Sequence, residues 1–367
     1  MGKWEKAAFD KVIYDCTKYA TKIKKEEYLS NGTYPIVDQG KEFIAGYTNV
    51  VNGIYNTTPL IVFGDHTRIF KYIDFSLFLG ADGVKLLKTD QDRLNTKFAY
   101  YYLSCVKIPD TGYNRHYKWL KETEIPLPPL SVQRKIANVL DRTSTLIEKR
   151  KAQMDELDLL IKSQFIEMFG HSRKLVPLKY YISFLQAGKS LAGTEECENK
   201  VLCTGSVSYD YFNGLGVKSL PLDYLPIEEH LVKDGDVLIS RMNTLELVGA
   251  AAYVFKAPDK TYLPDRLWKA IIKPNNNPLF IWQILIQTST KDSIRQIAGG
   301  TSGSMKNISK ERLLGINVPQ VDLDKQNEFA AFVQQIDKSR SSLQQSLEKL
   351  ELNYKSLMQK CFRGEIF

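Results

Sequence analysis

The sequence predicts an α+β protein with two mixed α/β segments, each followed by one long helix, the two helices pairing as a coiled coil. Three observations support this fold class. A long central stretch has no Pro or Gly, a similar stretch ends the chain, and short strand-like runs bounded by turn residues precede both. We therefore expect globular segments at 1–124 and 171–315, and helical spacers at 125–170 and 316–367.

The central helix is predicted from its start signal and its periodicity. Pro126, Pro128 and Pro129 exclude a helix before them, and Ser131 is expected to cap the first turn. Apolar residues then recur every seven positions, as in a coiled-coil heptad. They are Leu140, Ile147, Met154, Ile161 and Met168. The other heptad position is mixed, which favours one dedicated partner helix. A helix of roughly 35 residues would be on the order of 50 Å long.

The partner helix is predicted at the end of the same chain. Its heptad positions are Phe329, Ile336, Leu343, Leu350 and Leu357. We match Gln326 with Gln133, and Ile336–Asp337 with Leu140–Asp141, so the numbering difference drifts and small insertions are expected. We predict helix pairing through Leu140, Ile147, Met154, Ile161, Ile336, Leu343, Leu350 and Leu357. The alternative is a pair of ordinary amphipathic core helices.

Short elements are predicted in both globular segments. The strand-like runs are Tyr34–Asp38, Pro59–Gly64, Ile69–Leu79, Val84–Leu87, Asp236–Ser240, Gly249–Phe255 and Leu267–Ile272. Apolar helices are expected at Asn95–Val106 and Pro278–Thr288. The two segments align well near the long helices and poorly in their strand-rich parts.

Composition limits the class of protein. The 367 residues suffice for two or three domains, and 43% are hydrophobic, which supports packed cores. No apolar run approaches the ~18 residues that cross a bilayer, and the five cysteines lack metal or disulfide spacing. We expect a reduced, cytoplasmic protein without a membrane segment. The net charge of +8 favours a polyanionic partner over the alternative, a solvated surface with a slight excess of lysine.

Catalytic motifs are absent from the sequence. It has no phosphate-binding GxxxxGK[ST] loop, no GxGxxG after a strand, no GxSxG elbow and no paired histidines. Asn277–Phe280 only approaches the motif of amino-methyltransferases, because its second proline is missing, and it lies at an expected helix start. We therefore predict no catalytic residue, no metal site and no cofactor.

Polar loops at corresponding places in the two halves are the better candidates for function. Basic and amide side chains contact phosphates and base edges. The candidate DNA-binding residues are His66, Thr67, Arg68, Arg115, His116, Lys118, Arg241, Asn243, Thr244, Lys306 and Asn307. For each of them the alternative is an ordinary solvated loop.

These loops are paired by aligning the two halves. The alignment sets Asp82 opposite Asp265, and Thr111–Gly112 opposite Ser302–Gly303. It therefore predicts that Arg115 corresponds to Lys306 and His116 to Asn307.

The repeated helices and the two dissimilar globular segments resemble the specificity subunit of type I restriction-modification systems over essentially the whole chain. The residues that carry the resemblance are Pro126-Leu-Pro-Pro-Leu130, Gln133, Ile136, Phe169-Gly170, Val318-Pro319, Gln326, Phe362-Arg-Gly364 and the segment from Phe63 to Lys85. Gln320 replaces the second proline in the C-terminal copy.

The resemblance implies two target-recognition domains held apart by an antiparallel pair of helices. Each domain would read one half of a split site in double-stranded DNA. The helices would dock two methyltransferase subunits, and translocase-nuclease subunits would join the full complex. Two alternatives stay open, namely the specificity subunit of a methyltransferase without a translocase, and a coiled-coil scaffold that does not bind DNA.

Overall fold

The computed structural model describes residues 4–80, 83–112, 114–172, 174–300 and 305–367. Asp82, Ser302 and Gly303, which the sequence alignment pairs with residues of the other half, lie outside this part. The chain divides into two compact units. Unit 1 comprises Met1–Ala152 and Gln344–Phe367, and unit 2 comprises Gln153–Leu343. Each unit therefore contains one α/β segment and part of both long helices.

Unit 1 contains nine short strands, eight of them before its first helix and one between its second and third helices. Its strands are β1 (Lys6–Ala8), β2 (Ile13–Asp15), β3 (Tyr34–Val37), β4 (Gly46–Thr48), β5 (Leu60–Gly64), β6 (Phe70–Ile73), β7 (Phe78–Leu79), β8 (Val84–Thr89) and β9 (Glu124–Pro126). Its helices are α1 (Thr96–Cys105), α2 (Tyr117–Lys121) and the first part of α3 (Leu130–Phe169). Single 3-10 turns occur at Phe9–Lys11, Thr17–Tyr19 and Lys25–Glu27.

Unit 2 repeats this order with additions. Its strands are β10 (Leu175–Pro177), β11 (Ile182–Ala187), β12 (Lys200–Leu202), β13 (Val217–Ser219), β14 (Val237–Ser240), β15 (Met242–Asn243), β16 (Ala251–Tyr253), β17 (Thr261–Tyr262), β18 (Leu267–Ile272), β19 (Lys306–Asn307) and β20 (Asn317–Pro319). Its helices are α4 (Pro278–Ile286), α5 (Thr288–Ile297), α6 (Lys310–Leu314) and the first part of α7 (Leu323–Arg363). Its 3-10 turns are Leu178–Tyr180, Thr204–Val207 and Glu228–His230.

The sheets of the two units have the same topology. The main sheet is antiparallel, in the order β2-β8-β5-β6 in unit 1 and β11-β18-β14-β16 in unit 2. A three-stranded sheet follows in each, β4-β3-β7 and β13-β12-β17, with one parallel pair. The first strand of each segment pairs with the strand that leads to a long helix, as β1-β9 and β10-β20. The strand-rich parts, whose sequences align poorly, therefore share one fold.

Several predicted boundaries move in the structure. The run Ile69–Leu79 contains two strands, β6 and β7, rather than one. The helix predicted at Pro278–Thr288 ends at Ile286, because Gln287 is extended, with ψ of 144°, and α5 begins after it. The central helix begins at Leu130, since the Pro129 carbonyl accepts from the backbone N–H groups of Val132 and Gln133. Ser131 lies inside the first turn and is not the cap.

A buried glutamine joins each long helix to its α/β segment. Gln133 Oε1 accepts from the Asn95 N–H at 2.8 Å, and its Nε2 donates to the carbonyls of Arg93 and Pro128. Gln326 makes the corresponding bonds, accepting from Asn277 N–H at 2.9 Å and donating to the Val321 carbonyl. Asn95 and Asn277 are also the N-caps of α1 and α4. These polar groups are buried but satisfied, so they fix where each helix starts.

The equivalence of the two glutamines corrects the sequence alignment of the helices. It gives a numbering difference of 193, which also superposes Ile125 on Val318 at the strand before each helix. At the far end, Phe169 packs on Phe280, and its equivalent Phe362 packs on Phe98. The difference is therefore constant along the two long helices, and neither helix has an insertion relative to the other. Leu140 corresponds to Val333, and the match with Ile336 is wrong.

The long helices run antiparallel within each unit. In unit 1, Ile136 and Leu140 of α3 share a core with Cys361 of α7. In unit 2, Phe165 of α3 packs against Phe329 of α7, with ring centroids 5.5 Å apart. Low residue numbers on one helix thus meet high numbers on the other. No helix in the described part of the chain is long and apolar enough to cross a membrane.

Candidate nucleic-acid interface

Three loops of unit 1 gather at one end of its main sheet. We name them the recognition loops of unit 1, and their described residues are 38–45, 64–69, 110–112 and 114–118. The Thr67 hydroxyl donates to the Gln39 carbonyl at 2.6 Å, and the His66 N–H donates to Gln39 Oε1 at 3.2 Å. His66 Nδ1 lies 3.2 Å from the Asn114 carbonyl. The sequence predicts His66 and Thr67 as contacts, and the structure brings them beside the third loop.

Arg68 is held by an acidic neighbour at the edge of these loops. Its guanidinium donates to Asp110 Oδ2 at 2.8 Å, and the other carboxylate oxygen accepts from the Gly112 N–H. The hydrogen bond from Arg68 holds the pKa of the Asp110 carboxyl below its usual range. Asp110 is exposed, so this is a weak surface ion pair that a phosphate can replace.

His116 is the one candidate that the structure buries completely. Its side chain is 0% exposed, its N–H donates to the Asp65 carbonyl at 2.8 Å, and Nδ1 lies 2.9 Å from the same oxygen. Asp65 also accepts the Tyr117 N–H. A ring without solvent access cannot reach a base edge, so His116 holds the loop in place and the prediction that it contacts DNA is not supported. Arg115 and Lys118, on either side of it, are exposed.

The equivalent polar cluster of unit 2 is built on a small extra sheet, and we name the residues 241–250, 298–300 and 305–309 the recognition loops of unit 2. Strand β15 pairs with β19, setting Asn243 opposite Lys306 and Met242 opposite Asn307. Arg241 Nε donates to Asn307 Oδ1 at 3.4 Å. Thr244 is exposed at the following turn. The structure therefore assembles all five predicted residues of unit 2 in one place.

The backbone shifts the predicted pairing of these loops by one residue. The Ile308 N–H donates to the Arg241 carbonyl at 3.2 Å, as the His116 N–H does to that of Asp65. Ile308 is also buried. The counterpart of His116 is thus Ile308, and Arg115 corresponds to Asn307. A shift of one residue exchanges the buried and the exposed positions of the loop. The loop sequences of the two units are too different for an alignment to detect this shift.

Sequence reasoning missed several polar residues beside these loops. Gln39 is one, because nothing in its local sequence indicates that its loop folds over His66. Arg266 is another; its carbonyl accepts the Arg241 N–H, and its exposed side chain stands at the position of Gly83. Lys310 and Arg312 line an open groove of about 560 Å³ together with Arg241 and Asn307. The sequence signal that could have identified Lys310 and Arg312 is their position just after the candidate residues Lys306 and Asn307.

The heptad residues of the long helices differ in burial. Leu140, Ile147, Ile161 and Ile336 are buried, whereas Met154, Leu343, Leu350 and Leu357 are half-buried. Cross-helix ion pairs flank this apolar strip, Lys151 with Glu351 at 2.8 Å in unit 1 and Arg340 with Asp158 in unit 2. The helices therefore combine an apolar contact with charged outer faces.

The sites that resembled enzyme motifs have structural roles. Asn277 Oδ1 accepts from the backbone N–H groups of Leu279 and Phe280, which is helix capping, and its amide donates to Asn327. Glu198, which stands two residues before Lys200 in an ExK spacing also found in nucleases, pairs with Lys260. Among the described residues no cluster of His, Cys, Asp or Glu could hold a metal ion.

A family model described as the type I restriction modification DNA specificity domain matches residues 4–157 and 208–352, which is more than half of the chain. The EcoR124I/EcoR124II specificity subunit of Escherichia coli is 23% identical over 360 residues, covering 92% of this chain and 88% of the relative. The crystal structure of a type I restriction-modification S subunit from M. genitalium has a TM-score of 0.59 at 19% identity, and covers 98% of this chain and 96% of its own.

A chain from a structure of a type I restriction-modification system, solved to study complex assembly and conformational transition, has a TM-score of 0.52 at 15% identity. It covers 100% of this chain and 98% of its own. At these identities the two structures show a shared fold only. The family model matches two segments of the chain, in agreement with the repeated α/β topology. The chain belongs to the family of type I restriction-modification DNA specificity proteins.

Proposed function

We propose that this chain is the sequence-specific DNA-recognition subunit of a type I restriction-modification complex and reads a bipartite target in double-stranded DNA. The observation that carries this proposal is the repetition of one α/β topology with different side chains in equivalent loops. Two copies of a frame with unlike recognition loops suit two different half-sites. The division into 1–124, 125–170, 171–315 and 316–367 is part of the proposal.

The recognition loops of unit 1 would contact the first half-site. Arg115, Lys118 and Thr67 are exposed there, and Arg68 becomes available when a phosphate replaces Asp110. Arginine is suited to guanine and to phosphate because its donors form a planar fork. The neighbouring His66 and Gln39 offer donors and acceptors that can distinguish base edges.

The recognition loops of unit 2 would contact the second half-site through a different set of groups. Asn243 and Asn307 carry amides, which suit adenine, while Arg241 and Lys306 supply positive charge. Thr244 stands at the exposed turn next to them. The basic groove lined by Lys310 and Arg312 would follow the DNA backbone without reading its sequence.

The paired helices would set the gap between half-sites and dock two methyltransferase subunits, with translocase-nuclease subunits in the full complex. Charged residues on the outer faces of the helices, including Lys151 and Glu351, would form polar interfaces with these subunits. The chain itself would be non-catalytic and would act in the cytoplasm. Its relative in E. coli is named a specificity subunit of a restriction enzyme, which supports an assembly role.

Genome-wide mapping of methylated adenines tests this function. Cells that carry the chain together with its methyltransferase should show a split, asymmetric methylated motif, and cells that lack only this chain should lose it. The purified chain alone should transfer no methyl group from S-adenosylmethionine to DNA. Transfer by the isolated chain, abolished by Asn277→Ala, would contradict a non-catalytic role.

A further inference from the structure

Unit 2 contains a cavity of about 170 Å³ that has no role in the recognition loops. It lies between α4, the loop containing Tyr209–Tyr211, and the parts of α3 and α7 that belong to unit 2. Its volume is well above the ~10–15 Å³ that one water requires. A group the size of a short side chain fits in it.

Two acceptors in the cavity wall, an amide oxygen and a carboxylate, have no hydrogen-bond donor among the described residues. Gln283 of α4 is 1% exposed, and its Oε1 has no hydrogen-bond partner among the described residues. Asp337 of α7 lines the same cavity, and burial raises the pKa of its carboxyl. A buried amide oxygen without a donor is costly, so natural proteins usually satisfy it with a water, an ion or a ligand.

The basic side chains in the cavity wall, Lys162 and Arg340, and the nearby Lys291 do not fill this role. Arg340 lies one helical turn from Asp337 but pairs with Asp158 and stacks over the Tyr211 ring at 5.7 Å. Lys291 of α5 is bound to both carboxylate oxygens of Asp210, at 2.7 and 2.9 Å. Lys162 lines the mouth and is exposed. Among the acidic groups of the wall, Asp158 therefore has a basic partner and Asp210 does too, whereas Asp337 has no ion pair with any residue that the structure describes.

Aromatic side chains complete the wall. Trp282, Tyr211 and Phe255 line the cavity, and the Phe255 and Trp282 rings are 6.0 Å apart. The Trp282 N–H donates to the carbonyls of Asp210 and Ala251, so the indole is fixed in place. Aromatic faces beside a carboxylate attract cations.

In unit 1 the polar side chain at the position of Gln283 finds its hydrogen-bond partner within the chain. The equivalent of Gln283 is Tyr101, whose hydroxyl donates to Asp141 Oδ1 at 3.0 Å, and Lys97 pairs with the same carboxylate at 2.7 Å. The position of Asp337 is occupied by Ser144 in unit 1. Where unit 1 has a tyrosine donor and a serine, unit 2 therefore has a glutamine and an acidic group.

We propose that the cavity beside Gln283 and Asp337 binds a cationic hydrogen-bond donor, a guanidinium or an alkylammonium group on a short aliphatic stem. The cation would donate to Gln283 Oε1 and pair with the Asp337 carboxylate, while its stem packs on Trp282. The group belongs to a small amine in solution or to an Arg or Lys side chain of a partner subunit.

Calorimetric titration of the full chain with propylguanidine tests the site, with propylurea as a neutral probe of the same shape. We expect propylguanidine to bind at least about tenfold more tightly, because a charge-assisted bond replaces a neutral one. Asp337→Asn should remove this preference. Asp141→Asn, a matched change in unit 1, should leave it intact.

Gln283→Leu separates a binding role from a structural one. It removes an unsatisfied acceptor, so the variant should melt at a higher temperature than the wild-type chain without ligand, yet lose propylguanidine binding. Equal affinity for the two probes, or unchanged binding by both variants, would overturn the proposal. If the cation comes from a partner, Asp337→Asn should weaken binding of the methyltransferase subunit and propylguanidine should compete with it; if it is a free amine, that affinity should not change.

Discussion

Unit 1 and unit 2 have the same sheets in the same order but solve their loop regions differently. In unit 1 the recognition loops are held by His116 and Asp65, which lie under the surface. In unit 2 an extra two-stranded sheet, β15-β19, holds the recognition loops instead. Ile308 occupies the buried position that corresponds to His116. The difference teaches that the same set of sheets can hold its recognition loops with different residues. Two half-site specificities that evolve independently require this.

The helix junctions show the opposite behaviour. Gln133 and Gln326 make corresponding bonds to the N-cap residue of the preceding helix and to the loop before their own helix. A buried amide that satisfies several backbone groups cannot be exchanged singly, because each lost partner leaves an unsatisfied group. The junctions are therefore alike while the loops diverge.

The largest effect is expected from charge at the buried helix positions. Leu140→Asp and its equivalent Val333→Asp should each cost about 4 kcal/mol or more, because both side chains are buried. Met154→Asp and Leu350→Asp are half-buried and should cost only about 1–2 kcal/mol, since their charge stays hydrated. Urea unfolding of the four variants measures this, and equal losses in all of them would refute the assigned burial.

The second effect tests the likeness of the junctions. Gln133→Leu and Gln326→Leu should each lower the free energy of unfolding by about 3 kcal/mol, because backbone groups lose their partners. Gln335→Leu, on the exposed side of α7, is the control and should change it by less than about 0.5 kcal/mol. A large loss for one junction and none for the other would show that the units are not built alike there.

The third effect sharpens the difference between the loops. Arg115→Ala and Asn307→Ala occupy equivalent positions, and each should weaken binding by about 1–3 kcal/mol if it contacts a base. Each should relax the sequence preference of only one half-site, and not the same one. Binding of the assembled methyltransferase to DNA with one altered half-site measures this. Lys325→Ala, on an exposed face of α7, is the control, and relaxation of both half-sites by one variant would contradict separate readers.

The smallest effect concerns the acidic neighbour of Arg68. Asp110→Asn removes the carboxylate that pairs with this arginine, so DNA affinity should rise slightly at low salt. The gain should fall as salt is added, because it comes from phosphate contact. A fluorescence-anisotropy titration at two salt concentrations checks it. Lower affinity would mean that Asp110 orients Arg68 for a base.

Much of the fold could be predicted from the sequence because its signals are local. Heptad spacing predicts α3 and α7, and β-branched runs such as Leu267–Ile272 predict strands within a residue or two. The constant numbering difference between the two long helices could not be predicted, because their heptad positions can be aligned in more than one register. A hydrogen bond, that of Gln133 with the Asn95 backbone, was needed to choose between them.

The candidate site could be predicted only in part because its contacts are distant in sequence. His116 and Arg115 are adjacent, yet one is buried and the other exposed, and only the fold decides which. Gln39 reaches His66 across 27 residues. The cavity beside Gln283 depends on five separate segments and leaves no local signal in the chain.

The most direct test of the central claim, that two different half-sites are read at a gap fixed by the helices, is to lengthen both helices. One heptad is inserted between Glu156 and Leu157, and another between Ser341 and Ser342, because Asp158 pairs with Arg340 in this region. Each insertion adds ~10 Å of helix at 1.5 Å per residue and keeps the apolar strips in phase. The methylation map should keep both half-site sequences and lengthen the gap by about three base pairs at ~3.4 Å each. New half-site sequences with an unchanged gap would contradict the account.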